Sequence, residues 1–180
     1  MDFTKTIETE RLILRKFTND DINNVYKNYA SKDVVTEFLT WETHSSIDVT
    51  TEYISNVVIP SYENEEYNWA VEYKETHEVV GAISVVNINK DTKMAEIGWC
   101  LDDSLWGKGI MPEAGRAVIE HLKEMGFVRI QGKHNVANPK SGKALMKLGM
   151  TFEGVLKKYS RNNKGQLVDC AIYAMINEEN

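Results

Sequence analysis

The chain has 180 residues, 42% of them apolar, and a formal net charge of −6. This length and apolar content specify one domain, residues 1–180, with a sizeable core, and exclude wholesale disorder. The acidic balance argues against nucleic-acid binding, and no 18-residue apolar run, secretory segment or basic transit segment occurs, so a cytoplasmic protein without a membrane partner is expected.

In chain order, residues 9–17 (TERLILRKF) alternate as a first strand, and Thr18 or Asn19 caps a helix running towards Ala30. Residues 46–58 read as a second helix, closed by Pro60. Residues 68–74 and 79–87 form two antiparallel strands, and a turn at 89–92 leads into a buried strand over 93–101 (KMAEIGWCL). Cys100 and Cys170 lie inside strands at a separation that suits no metal site, so reduced buried thiols and no metal are expected.

Residues 104–111 (SLWGKGIM) join that strand to an amphipathic helix over 111–125, apolar at Met111, Ala114, Val118, Leu122 and Met125. Pro112 suits its first turn and Gly126 its end. Glu113, also in the first turn, favours the helix dipole and reads as structural. Gly107 and Gly109 permit a tight turn and close approach of a ligand. The helix start adds unpaired N–H groups, so the join suits a pyrophosphate. Two familiar nucleotide motifs do not fit. Lys108 is followed by Gly109 where a P-loop needs Ser or Thr, and the third glycine of a dinucleotide fingerprint falls on Pro112.

A strand over 127–133, a short helix over 139–148 stopped by Gly149, and a hairpin of 150–159 with 167–176 complete the chain. The order β-α-α-β-β-β-α-β-α-β-β predicts an α/β domain with a largely antiparallel sheet and one parallel crossover.

Three segments carry a family resemblance: AEIGWCL (95–101) followed by WGKGIMPEA (106–114), NPKS (138–141) ahead of LMKLGMTF (145–152), and the opening TERLILR (9–15). Together they resemble the GNAT superfamily of acyl-CoA-dependent N-acetyltransferases, most closely its RimJ/RimL branch of ribosomal-protein N-terminal acetyltransferases. The superfamily loop has Arg or Gln, two spacers, Gly, one spacer, then Gly or Ala. Trp106, Gly109 and Met111 hold those places here, so Met111 departs from the small-residue preference.

The resemblance implies an α/β fold with a mixed, mostly antiparallel sheet of about seven strands, four flanking helices and a splayed strand pair around the cofactor. It implies acetyl-CoA as co-substrate and a primary amine as acceptor, either a protein N-terminus or a small molecule. Homodimers recur in the superfamily. The amides of Trp106, Gly107, Lys108, Gly109, Ile110 and Met111 would cradle the pyrophosphate, and the strand end at Trp99, Cys100 and Leu101 would receive the pantetheine arm. Asn138 would contact CoA and Ser141 its sulfur, Ser141 standing in place of the tyrosine acid common elsewhere; capping of the helix that follows is the alternative for both.

Glu96 is the candidate base or substrate-positioning group, since in a strand it shares a face with Gly98 and Cys100. An otherwise apolar surrounding would bring a carboxylate there towards the proton affinity a base needs. Trp69, opening a strand beside the expected amine site, is a candidate for the acceptor pocket or for the core. At pH 7 deprotonating the acceptor costs about 1 kcal/mol for an α-amine and about 4.6 for a lysine, which favours the α-amine. A non-catalytic acetyl-CoA sensor would keep the glycine loop without depending on Glu96.

Overall fold

The computed structural model describes residues 3–64 and 66–178. Eight strands form one sheet: β1 (Ile7–Glu8), β2 (Leu12–Arg15), β3 (Asn68–Tyr73), β4 (Glu78–Asn89), β5 (Met94–Leu101), β6 (Arg129–Asn135), β7 (Thr151–Arg161) and β8 (Leu167–Ile176). Their spatial order is β1-β2-β3-β4-β5-β6-β8-β7. Only β5 and β6 pair in parallel, the crossover between them being helical. The eighth strand is the two-residue β1, too short for a periodicity to register.

The helices are α1 (Ile22–Val25), α2 (Asp33–Thr36), α3 (Ile47–Tyr53), α4 (Ile59–Ser61), α5 (Ile110–Glu124) and α6 (Pro139–Lys147). Two one-turn π segments interrupt the early ones: Tyr26–Ala30 extends α1, and Ile54–Val58 joins α3 to α4. The first helix opens where expected, through a 3₁₀ turn over Asn19–Asp21 with Thr18 as its cap, the Thr18 N–H donating to the Asp21 carboxylate over 2.8 Å. The second corrects the expected stop at Pro60. The helical path runs through that proline to Ser61, because the wide turn before it accommodates a ring that carries no N–H.

Two cores lie on opposite faces of the sheet. Leu12, Leu14, Trp69, Val71, Ile83, Ala95 and Ile97 pack with Ala114, Val118 and Leu122 of α5 on one face. Val25, Tyr29, Ala30, Ile54 and Val58 pack with Phe17, Ala70 and Val79 on the other. β3 is buried on both sides, with Trp69, Ala70 and Val71 all at 0% exposure. Among the described residues no helix is long and apolar enough to cross a membrane.

Three polar links pin the early helices to the sheet. Arg15 pairs with Asp21 at 2.8 Å and Glu72 at 2.7 Å. Asn28 Nδ2 donates to the carbonyl of Val79 over 2.9 Å. Lys32 Nζ reaches both Asp102 (2.8 Å) and Asp103 (2.7 Å), just past the end of β5.

Candidate active site

The parallel β5–β6 ladder covers only Met94↔Arg129 to Ile97↔Gly132. Beyond it β5 continues to Leu101 against β4, while β6 continues to Asn135 against β8. The two strands therefore part at Gly98 and Lys133. Leu145 of α6, 1% exposed, packs against Gly132 at this point, where a Cβ would stand 2.4 Å from it. The opening leads into a cavity of about 1,080 Å³ that reaches from the glycine loop to the early helices.

The loop is built as its composition demands. Gly107 and Gly109 sit at φ +78° and +80°, a region that residues with a Cβ rarely enter. Gly109 is the N-cap of α5, so the first-turn N–H groups behind it have no intrahelical acceptor. Trp106 donates its indole N–H to the carbonyl of Leu101 over 2.9 Å, and Lys140 of α6 covers its ring at 4.6 Å. The loop is also tied from below. Glu113 accepts from Thr9 Oγ1 (2.6 Å), the Arg11 backbone (2.9 Å) and Arg11 Nε (2.6 Å), and Arg11 Nη1 donates to the Lys108 carbonyl over 2.9 Å. Burial pushes the Glu113 carboxyl up, but these donors outweigh it and hold it below the usual carboxylate range. The structural reading of Glu113 fits this geometry.

The cavity brings together Glu96, Trp99, Cys100, Leu101, Trp106, Gly107, Gly109, Ile110, Met111, Asn138 and Ser141. Asn138 caps α6 by accepting from the Ser141 N–H over 3.4 Å. Met111, in the first turn of α5, is 5% exposed and packs in the core. Burial pushes the Cys100 thiol up to about 12, leaving it protonated at neutral pH and unsuited to nucleophilic work.

Lys108 is exposed on the loop, and its carbonyl accepts from Arg11 Nη1. Two expectations need correction. Trp69 is a core residue on the α5 face, donating its indole N–H to the Lys5 carbonyl over 2.9 Å. Alternation along β3 sends Trp69 to that face and Asn68 to the cavity. The surrounding of Glu96 is not apolar. This carboxylate, 1% exposed, accepts from Gln131 Nε2 over 2.7 Å at one oxygen and from Lys133 Nζ at the other.

Several lining groups escaped sequence reasoning. Lys140, Lys143 and Lys147 of α6 border the cavity; their i, i+3, i+7 spacing was a readable signal for one cationic helix face. An aromatic group, Tyr29 and Tyr53 from the early helices with Phe38, Trp41 and His44 from the segment between α2 and α3, forms the far wall, and no local pattern announced it.

The Acetyltransferase (GNAT) domain profile matches residues 11–151. The chain belongs to the GNAT acetyltransferase family. It is 30% identical, over 97% of its length and 98% of the relative's, to p20 of Bacillus licheniformis, named an uncharacterized N-acetyltransferase. It is 39% identical to the ribosomal-protein-serine acetyltransferase of Escherichia coli over 45% of this chain and 46% of that one. The solved structure of RimL, a ribosomal L7/L12 α-N-protein acetyltransferase in complex with coenzyme A, has a TM-score of 0.84 at 23% identity. That likeness covers 98% of this GNAT chain and 100% of RimL, and is one of fold. The expected fold class holds, with eight strands in place of about seven and six helices in place of four among the described residues.

Proposed function

We propose that this GNAT protein transfers the acetyl group of acetyl-CoA to a primary α-amine inside the splayed cavity. The observation that carries the reading is the continuity of one cavity from the positive-φ glycine loop, past the parted strands, to the buried Glu96. Pyrophosphate fits the loop amides and the α5 N-terminus. The α6 lysines add cationic charge beside the same opening. The coenzyme supplies the activated acetyl thioester.

The chain's own residues do the rest. Glu96 takes a proton from the attacking amine, directly or through one water, as the C–N bond forms and the C–S bond breaks. Lys133 and Gln131 hold its carboxylate in one orientation. Ser141, whose hydroxyl has no partner among the described residues, lines the cavity on α6 and donates a hydrogen bond to the departing thiolate. The α-amine is the easier nucleophile, its deprotonation costing about 3.6 kcal/mol less at pH 7 than that of a lysine. The structural neighbour named an α-N-protein acetyltransferase agrees with that choice.

The test is Glu96→Gln with CoA release and product mass as readouts. Turnover falls by at least 100-fold while acetyl-CoA affinity stays within twofold. Unchanged turnover would remove Glu96 from the chemistry, and a lysine peptide acetylated faster than its matched N-terminal amine would overturn the acceptor class.

A further inference from the structure

The far end of the cavity has a chemistry of its own. Trp41, His44 and Tyr53 form a contiguous aromatic run, with ring centroids 5.4 Å apart for the first pair and 5.7 Å for the second. Burial lowers the proton affinity of His44, and its Nδ1 is occupied by Thr50 Oγ1 at 2.8 Å, so the imidazole stays neutral at neutral pH. Phe38 and Tyr29 complete an uncharged wall.

Carboxylates are scarce there. The cavity is lined by Glu37, exposed at the rim, and by Glu96, already engaged by Lys133 and Gln131. Polycationic amines would bring several ammonium groups into a space where only Glu96 and the rim Glu37 could receive them, and an unpaired buried charge is costly. The neutral polar groups are of the opposite kind. Asn68 accepts from Ser84 Oγ over 2.7 Å at its Oδ1, which leaves its Nδ2 as a donor without a partner among the described residues. Tyr29 is 4% exposed, and its hydroxyl likewise has no hydrogen-bond partner among them. Two spare donors in an apolar chamber match an oxygen acceptor on the ligand.

Resting on the acetyltransferase reading above, we infer that the acceptor is an α-amine flanked by a carbonyl and carrying an aromatic or bulky apolar side chain. The side chain lies against Trp41 and His44, the carbonyl oxygen takes hydrogen bonds from the free donors, and the amine faces Glu96. A free amino-acid amide and a peptide N-terminus share this chemistry.

The experiment compares phenylalaninamide, serinamide, spermidine, and tetrapeptides beginning with Phe or Ser, at saturating acetyl-CoA. Binding of each amine to the protein–CoA complex is measured alongside by calorimetry. The expected result is a kcat/KM at least tenfold higher for phenylalaninamide than for serinamide or spermidine, with the same order in affinity. Trp41→Ala raises KM for phenylalaninamide at least tenfold and collapses its advantage over serinamide. Asn68→Asp, which replaces the donor by an anion, weakens phenylalaninamide and improves spermidine at least threefold, a readout that survives if Trp41→Ala fails to fold. A Phe peptide faster than the amide, or the reverse, identifies the source and upholds the inference. Serinamide or spermidine acting or binding better than phenylalaninamide overturns it while leaving the acetyltransferase reading intact. Absence of acetyl-CoA binding would instead overturn that reading, and with it the inference.

Discussion

The two ends of the cavity are built by different means. At the loop end the surface offered is backbone: two glycines at positive φ, a helix N-terminus, and a clamp of Arg11 and Glu113 that fixes the loop from below. At the proposed acceptor end the surface offered is side chains, Tyr29 and Tyr53 from helices that two π segments interrupt, and Phe38, Trp41 and His44 from the segment between α2 and α3. Backbone recognition needs the same few conformations whatever residues surround it. Side-chain recognition changes with each residue, so one fold can keep its donor while varying its acceptor.

Three substitutions and one labelling experiment would break or sharpen this contrast. The largest effect after Glu96→Gln is expected from Gly109→Val. A β-branched residue at φ +80° costs about 1–2 kcal/mol of backbone strain and moves the amides, so the KM for acetyl-CoA rises at least tenfold in steady-state assays. Acceptor affinity, read by calorimetry on the apo protein, stays within twofold. An equal loss at both ends would mean the cavity responds as one unit.

Glu113→Gln comes next. It removes the charge that gathers Thr9 and Arg11, so chemical denaturation should show a loss of about 2 kcal/mol at pH 7. The sign with pH follows from the lowered folded-state value. The carboxylate contributes stability fully above its unfolded value and loses it as pH falls through the folded one. The difference between wild type and variant therefore shrinks under acid, and a gap that widens on acidification would refute the assignment.

Cys100 tests the interior between the two ends. With its thiol pushed up to about 12, alkylation by iodoacetamide at pH 8 should run at least 100-fold slower in the folded protein than in the unfolded chain. Rapid labelling of the native state would mark it as a reactive thiol. The smallest effect is expected from Lys108→Ala, since the loop uses the carbonyl of this residue and leaves its side chain exposed. The KM for acetyl-CoA should change by less than twofold; a tenfold rise would return Lys108 to the phosphate site.

Features set by local chemistry were legible in the sequence. Gly107 and Gly109, the cap at Thr18, Pro112 at the start of α5 and its 3.6-residue apolar stripe each act through neighbours within one helical turn. These determined the strand–loop–helix unit and the order of the elements around it. What only the tertiary structure decided involves partners far apart in the chain. β3 is buried on both faces, so alternating polarity could not show that Trp69 faces α5 and Asn68 the cavity. Glu96 meets Gln131 and Lys133 across the parallel crossover, 35 and 37 residues away. The aromatic wall exists because Arg15–Asp21, Asn28–Val79 and Lys32–Asp102 hold the early helices over β4 and β5. The environment of a buried carboxylate is set by whatever folding brings within 3–4 Å of it, and residue spacing along the chain does not encode that.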